Sequence, residues 1–218
     1  MREIFNGIYS DKKNFYTKNL LEGKKVYGEK LLREGNTEYR QWDPYRSKYC
    51  AALANGLKES IFFSGASVLY LGSAEGTTVS HVSDIVGKNG SIFCVDISEI
   101  AMNKLTKLAE ERENLFPILS DAQLTKNYEE FIEEKVDALF MDISQRNQAD
   151  IFVRNAKFLK KGCLGALALK TKSISQSENK EKVLAEETKL LEKEFEIIQT
   201  LNLEPFEKHH YLILCKKK

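Results

Sequence analysis

Five apolar segments in the middle of the chain alternate with segments in which apolar residues recur every three or four positions. A strand buried on both faces is a nearly continuous apolar run, whereas a helix packed on one face repeats every 3.6 residues. The pattern therefore predicts strands joined by helices. The predicted strands are Val68–Leu71, Ile92–Val95, Leu115–Leu119, Val136–Met141 and Leu164–Leu169. The predicted helices span about 45–57, 77–86, 99–113, a stretch between 141 and 164, and 178–193.

The two ends of the chain predict further strands. Two apolar runs, Phe195–Leu203 and Tyr211–Cys215, lie close enough in the chain to form an antiparallel pair. Before Asn36, short apolar pairs among Asn, Asp, Gly and Lys indicate hairpins or a small meander. Asp43, followed by Pro44 at the first helical position, is a candidate N-cap for the first helix.

The order of these elements predicts the fold class. Strands that alternate with helices favour a mostly parallel sheet with helices on its faces, and the terminal pair brings the sheet to seven strands. The chain has 218 residues, of which 42% are apolar. We therefore predict an α/β fold with a small β-rich domain at residues 1–44 and a larger α/β domain at residues 45–218.

Composition excludes several classes of protein. No apolar run approaches the roughly 18 residues that span a bilayer, and the first residues resemble neither a signal peptide nor a transit peptide. We therefore expect a cytoplasmic protein. The four cysteines, Cys50, Cys94, Cys163 and Cys215, are far apart and never form a Cys-x-x-Cys pair. Such spacing predicts buried thiols rather than a zinc site or a disulfide framework.

The overall charge is nearly neutral, with a formal net charge of +1 and an isoelectric point near 7.6. Domains that grip nucleic acid unaided usually have an isoelectric point above roughly 9. Residues 1–50 carry eleven Lys and Arg against seven Asp and Glu, an excess that is also common on an ordinary solvated face. If RNA is the substrate, the sequence predicts that another molecule presents it.

Small or polar residues follow all five central strands. In an open parallel sheet, ligands bind at the carboxyl ends of the strands, where the strand order reverses. One aspartate at such a position is often only a turn or cap residue, but a full set predicts a site. The set consists of Gly72, Asp96, Asp121, Asp142 and Lys170.

The loop after the first central strand, Gly72–Thr78, has two glycines that allow a tight turn and a close approach to a ligand. It has neither the Gly-x-Gly-x-x-Gly pattern of dinucleotide sites nor the Gly-Lys-Ser/Thr of a P-loop. Asp96, about 20 residues further on, is placed to accept hydrogen bonds from ribose hydroxyls. A nucleoside cofactor without phosphates, such as S-adenosylmethionine, fits this combination.

Several segments are similar to the signature of fibrillarin and the archaeal fibrillarin-like proteins, and together they cover nearly the whole chain. They are Glu38–Lys48, Val68–Gly87, Ser120–Gln123, Phe140–Gln145, Ala168–Lys172 and Leu203–His210. The chain lacks the arginine- and glycine-rich tail of nucleolar members and so resembles the short archaeal form. Within the motifs, Glu75, Gln123 and His209 depart from the residues usual in the family.

The resemblance implies a Rossmann-like methyltransferase fold and a set of contacts to S-adenosylmethionine. Thr77 and Thr78 are implied to hold the carboxylate, Asp96 and Ile97 the ribose and adenine, and Asp121 the adenine amino group. The residues at 142–145 are implied to line the methionine end. The full implied set is Gly72, Gly76, Thr77, Thr78, Asp96, Ile97, Asp121, Ala122, Asp142, Ile143, Ser144 and Gln145.

The resemblance also implies a charged tetrad around the ribose 2′-hydroxyl that accepts the methyl group. Its members are Lys48, Asp142, Lys170 and His210, with Lys170 at the acceptor oxygen and Asp142 orienting it. Whether Lys170 acts as a base or as a cationic stabiliser stays open. Because His209 replaces the usual acid, the sequence does not decide which of the two imidazoles faces the site.

The family works inside a guide-RNA particle, which implies three partners: a Nop-domain scaffold protein, a kink-turn-binding protein and a box C/D guide RNA that pairs with ribosomal or transfer RNA. Sequence choice then lies in base pairing, as in other RNA-guided systems. Two alternatives remain, a methyltransferase for a protein side chain or small molecule and a non-catalytic module. The Lys48, Asp142 and Lys170 set favours a hydroxyl acceptor over an amine.

Three other features of the sequence give further expectations. His81 is expected to pack on the sheet from a helix face rather than to act chemically. Trp42 and Tyr45 are expected in the core, with stacking on RNA bases as the alternative. The stretch 172–180 is expected to be a mobile loop, with Lys172 a candidate phosphate contact.

Overall fold

The computed structural model describes residues 1–177 and 179–218, and its strands form two β-sheets. The first sheet is antiparallel, in the order β1-β2-β3-β5-β4. Its strands are β1 (Arg2–Phe5), β2 (Ile8–Ser10), β3 (Phe15–Lys18), β4 (Leu31–Glu34) and β5 (Thr37–Trp42). The predicted hairpins are therefore present. The division into two domains at residue 44 stays a prediction, because the two sheets share one core that includes both Ile8 and Val82.

The second sheet has seven strands and confirms the predicted fold class. Its order is β11-β12-β10-β9-β6-β7-β8, parallel from β10 to β8 and antiparallel at the terminal pair. The chain runs outward from β6 to β8 and returns to β9 on the other side, so the strand order reverses between β6 and β9. The strands are β6 (Ser67–Leu71), β7 (Ser91–Asp96), β8 (Leu115–Leu119), β9 (Val136–Met141), β10 (Leu159–Lys170), β11 (Phe195–Asn202) and β12 (His210–Lys217).

Helices cover both faces of this sheet, which explains the continuous apolar strands. Val68 and Tyr70 face one core and Leu69 and Leu71 face the other, and all four are buried. The helices are α1 (Lys48–Ala54), α2 (Thr77–Val86), α3 (Glu99–Glu111), α4 (Gln148–Asn155), α5 (Thr171–Ile174) and α6 (Lys180–Leu191). None of those helices, which belong to residues 1–177 and 179–218, is long and apolar enough to cross a membrane.

The predicted start of the first helix was wrong. Ser47, not Asp43, is the N-cap, and its Oγ accepts the Cys50 backbone N–H at 3.3 Å. The Asp43 carboxylate instead accepts the Tyr45 N–H at 2.9 Å, which closes a turn before the helix. The helix also ends before the predicted Leu57, because the chain turns at Gly56 with a φ of +86°.

The region after β10 differs from the predicted loop as well. Residues 171–174 form the short helix α5, with Thr171 buried. The predicted first residue of the following helix, 178, lies outside the described residues. That helix is described from Lys180, and the side chain of Asn179 caps it by accepting the Glu181 N–H at 2.7 Å.

The first sheet meets α2 and the end of α3 at a buried charged cluster, which we define as Glu29, Arg40, Asp84 and Arg112. Arg40 lies 2.6 Å from Glu29 and 2.8 Å from Asp84, and Arg112 lies 2.7 Å from the other oxygen of Asp84. All four side chains are at most 1% exposed. Because buried charges are tolerated only when paired, the cluster fixes the first sheet against α2.

Aromatic residues and cysteines follow the core expectation with two exceptions. His81 is fully buried and stacks on Trp42 of β5, with ring centroids 4.9 Å apart. Burial lowers the pKa of His81 well below its usual value. Tyr45, in contrast, is 65% exposed. Cys163 is only half-buried, because it lies in the irregular start of β10; the other three thiols are buried, and all four cysteines are free.

Candidate active site

A cavity of about 390 Å³ opens at the carboxyl ends of β6, β7, β8 and β9, where the strand order reverses. Nine of the twelve predicted cofactor residues line it: Gly72, Asp96, Ile97, Asp121, Ala122, Asp142, Ile143, Ser144 and Gln145. Three lining residues were missed: Ala74, Val95 and Ser120. Each of the three is adjacent in sequence, or within two positions, to a predicted one. The volume falls within the range of about 300–1,000 Å³ typical of small-molecule sites.

Gly72 makes the predicted tight turn and also allows two strand ends to approach each other closely. Its φ is +83°, and a Cβ atom there would lie 2.1 Å from the Asp142 carbonyl oxygen. The close approach of the strand ends is therefore sufficient to require a glycine, and its contact with a ligand stays a prediction.

Three predicted cofactor residues do not line the cavity. A Cβ atom on Gly76 would lie 2.7 Å from Cδ2 of Leu108, so this glycine allows close packing against α3. Thr77 begins α2, and the Thr78 hydroxyl donates to Ser47 Oγ at 3.0 Å. Their contact with a cofactor carboxylate stays a prediction.

Asp96 is held rigidly at the end of β7. Its Oδ2 accepts the Ala74 N–H at 2.8 Å, and its Oδ1 accepts the Ser98 N–H at 2.9 Å. Each carboxylate oxygen has a further lone pair, and the residue lines the cavity. Asp96 can therefore accept hydrogen bonds from a diol while it fixes the loop after β6.

Gln145 and Asp121 form a polar pair across the cavity. The Gln145 Nε2 donates to Asp121 Oδ1 at 3.1 Å, and the Gln123 backbone N–H donates to the same oxygen at 2.9 Å. Because a carboxylate only accepts, this contact fixes the orientation of the Gln145 amide. Its Oε1 is buried and has no partner among residues 1–177 and 179–218. Such an acceptor fits a ligand that carries N–H or O–H groups, as S-adenosylmethionine does.

A second group of charged side chains stands beside the cavity. Lys48 Nζ, at the start of α1, lies 2.8 Å from Asp142 Oδ2, at the end of β9. Both side chains are about one-fifth exposed, at 20% and 24%. The ion-pair partner of Asp142 is thus Lys48, whereas Asp142 was predicted to orient Lys170. The Lys170 ammonium has no ion-pair partner in the described part of the chain, and its backbone lies opposite His210 in the β10–β12 ladder.

The structure distinguishes the two histidines. His210 is 7% exposed, and its pKa is lowered by burial and by the nearby charge of Lys48. Its Nδ1 lies 2.9 Å from the Lys208 carbonyl oxygen, which can only accept, so Nδ1 carries the proton and Nε2 keeps its lone pair. His209 has a φ of +62°, and its carbonyl oxygen accepts from the backbone and hydroxyl of Thr171. His210 is therefore the imidazole beside Lys48 and Asp142.

The sheet order and the cavity at its switch point define the class as a Rossmann-like, S-adenosylmethionine-dependent methyltransferase fold. The fibrillarin family model matches residues 1–218. The chain belongs to the fibrillarin family.

Relatives and solved structures agree with this assignment. The chain is 44% identical to the fibrillarin-like rRNA/tRNA 2′-O-methyltransferase of Pyrococcus furiosus, over 98% of this chain and 96% of the relative. It is similar to Aeropyrum pernix fibrillarin solved with natively bound S-adenosyl-L-methionine, with a TM-score of 0.89, 39% identity, and coverage of 98% and 96% of the two chains. A fibrillarin/Nop5p complex gives a TM-score of 0.89 and 35% identity, with both chains fully covered.

Proposed function

We propose that this chain transfers a methyl group from S-adenosylmethionine to ribose 2′-hydroxyls of ribosomal or transfer RNA. The observation that carries the proposal is the contact of Lys48 with Asp142 at the edge of a nucleoside-sized cavity, close to His210, which is the strand partner of Lys170. The relative from Pyrococcus furiosus is named for this activity.

The cavity residues divide the binding of the cofactor among them. Asp96 would hold the ribose hydroxyls, and Asp121 with the unpartnered Gln145 Oε1 would meet polar hydrogens of the cofactor. Thr77 and Thr78, at the N-terminus of the ten-residue helix α2, are the candidates for the carboxylate. When bound, S-adenosylmethionine supplies an electrophilic methyl group on a sulfonium centre.

The charged residues prepare the acceptor. A ribose hydroxyl is a poor nucleophile, so its proton must leave during attack and the developing charge on its oxygen must be stabilised. Lys170 is the candidate at that oxygen, because its ammonium is not engaged by any carboxylate in residues 1–177 and 179–218. Lys48 holds Asp142 in place at 2.8 Å, and the Nε2 lone pair of His210 is available to accept a proton.

This arrangement favours an alcohol over other acceptors. An amine carries its own lone pair and needs less help from a base, whereas an alcohol needs both proton removal and a nearby cation. The Lys48–Asp142 pair with the nearby imidazole of His210, together with the cation of Lys170 on the strand next to His210, would supply both functions. Methylation of a protein side chain or a small molecule is therefore the weaker candidate function.

The proposed setting is a ribonucleoprotein particle. The net charge of +1 gives little unaided affinity for RNA, so presentation of the target by partners fits this chain. A Nop-domain scaffold is the best supported partner, because a fibrillarin with 35% identity is solved with Nop5p. A kink-turn-binding protein, a box C/D guide RNA and a cytoplasmic location complete the proposal.

The test is reconstitution with a Nop-domain protein, a kink-turn-binding protein, a guide RNA and cofactor labelled on its methyl group. The expected result is one labelled 2′-O-methyl at the guide-specified nucleotide, and little methylation by the chain alone. An Asp142→Asn chain in the same particle is the negative control, and Asp150→Asn, an exposed site on α4, is the matched positive control. Label on protein or on RNA bases would contradict the proposal.

A further inference from the structure

On the side that faces away from β12, the backbone of Lys170 is held by a side chain rather than by a strand. The Gln148 Oε1 accepts the Lys170 N–H at 2.9 Å, and the Gln148 Nε2 donates to the Lys170 carbonyl oxygen at 3.2 Å. Both backbone groups of the lysine are thus paired with one amide. The side-chain amide of Gln148 imitates the peptide group that a strand would present.

The reason is that β9 stops short of Lys170. The last paired residues of the two strands are Met141 of β9 and Leu167 of β10, so β10 runs on without a strand neighbour on that side. On the other side Lys170 lies opposite His210, and the next residue, Thr171, is bonded to the His209 carbonyl oxygen. Without Gln148, the end of the strand would be supported on one side only.

Gln148 is fully buried, at 0% exposure, so water does not replace it. Loss of one partner from a buried hydrogen bond is unfavourable, because the other partner remains unsatisfied. The buried Gln148 amide is therefore needed to satisfy the backbone groups of Lys170.

Gln148 also connects the lysine to the cofactor cavity. It is the first residue of α4, immediately after the segment 142–147, and residues 142–145 of that segment line the cavity. The start of α4 is fixed in turn by Glu187 of α6, whose Oε2 accepts the Ala149 N–H at 2.9 Å. One amide thus sets the distance between the strand end that carries Lys170 and the wall of the cavity.

We propose that Gln148 is a positioning residue for methyl transfer: by pairing with both backbone groups of Lys170, it fixes where this side chain leaves the sheet relative to the cofactor. The inference rests on the proposed function of the same site. A displacement of about 1 Å from productive geometry can cost on the order of 100-fold in rate, so the contribution of Gln148 is to the rate and not to affinity.

The experiment compares Gln148→Met, which keeps the shape and removes both hydrogen bonds, with Gln148→Glu, which keeps only an acceptor for the Lys170 N–H. Each is assembled into the full particle. Single-turnover methylation, the KM for target RNA and the Kd for S-adenosylmethionine are measured. We expect the single-turnover rate to fall about 10- to 100-fold in Gln148→Met and less in Gln148→Glu, with the KM and Kd within about twofold. Arg154→Met, on the exposed face of α4, is the control and should match wild type.

Two outcomes would overturn the inference. One is an unchanged single-turnover rate in folded Gln148→Met; the other is a Kd for S-adenosylmethionine that weakens as much as the rate, which would make Gln148 a support of the cofactor wall only. If Gln148→Met does not fold, the same comparison of the single-turnover rate with the Kd for S-adenosylmethionine is made on Gln148→Glu. Amide exchange at Lys170 gives a readout independent of activity: it should be slow in wild type and faster in the variants. Failure of the proposed function shows separately, as a wild-type particle without methylation.

Discussion

Lys48 Nζ and Asp142 Oδ2 lie 2.8 Å apart although the residues are 94 positions apart in the chain. The contact joins the first helix to the end of β9 and fixes the carboxylate at the entrance of the cavity. Partly exposed pairs of this kind contribute little to folding stability. Its value is therefore expected in the rate of methyl transfer.

A double-mutant cycle tests this pair. Lys48→Met and Asp142→Asn should each lower the single-turnover rate by about 100-fold or more, because losing either residue removes the function of the pair. The double variant should be scarcely slower than the worse single variant. Rates that multiply would show that the two residues act independently, and thermal unfolding of each variant checks the fold.

Lys170→Ala should abolish most methylation while it preserves cofactor binding. The loss expected for a group that handles a proton or developing charge is about 10²- to 10⁴-fold. Calorimetry with S-adenosylmethionine and single-turnover assays measure the two effects separately. Full methylation by this variant would remove Lys170 from the acceptor site.

Gln145→Leu should weaken S-adenosylmethionine binding about 2- to 12-fold, the equivalent of a net 0.5–1.5 kcal/mol for one hydrogen bond. The physical reason is the Gln145 Oε1, which is buried and unpartnered among the described residues. Calorimetry of the chain alone is sufficient. Unchanged affinity would mean that the ligand makes no contact with this oxygen.

The pH dependence of methylation should contain a step from His210. Its pKa lies below the usual 6.5 because of burial and the charge of Lys48, so the imidazole is neutral at pH 7 and gains a proton only at lower pH. The single-turnover rate should therefore fall as the pH drops through a midpoint below 6.5. His210→Gln should be slower at pH 7 and lack this step; an identical profile in that variant would contradict the assignment.

The buried charged cluster should dominate the attachment of the first sheet. Asp84→Asn leaves the guanidinium groups of Arg40 and Arg112 without their shared carboxylate, which costs about 3–5 kcal/mol for a buried pair. Urea unfolding should show the loss as a lower midpoint. Asp150→Asn, which removes an exposed pair on α4, should change stability by less than about 1 kcal/mol.

Much of the second sheet is predictable because both of its faces are covered. The bounds of β8 and β9, and those of α2, coincide with the apolar runs. The strand β5 was not predicted, because Arg40 occupies a buried position where the pattern requires an apolar residue. The start of β10 was missed for a related reason: Lys160 and Lys161 are exposed before the strand enters the sheet.

Most of the residues that line the cavity were predictable, but their contacts were not. Strand ends meet at one edge, so nine cavity residues follow from the topology and the motifs. Which cation pairs with Asp142 depends on the position of α1, and the pattern placed the start of that helix three residues too early. The role proposed for Gln148 could not be predicted, because nothing in the sequence shows that the neighbouring strand β9 stops short of the level of Lys170 in the sheet.

The glycine at 72 has a consequence for engineering the specificity of this fold. A Cβ atom on Gly72 would collide with the Asp142 carbonyl oxygen. The loop proposed to bind the donor and the strand end proposed to face the alcohol are therefore packed directly against each other at this point. A larger residue there would move both segments at once. Attempts to alter acceptor choice should therefore keep this glycine, so that the position of the donor is preserved while other parts of the acceptor side are changed.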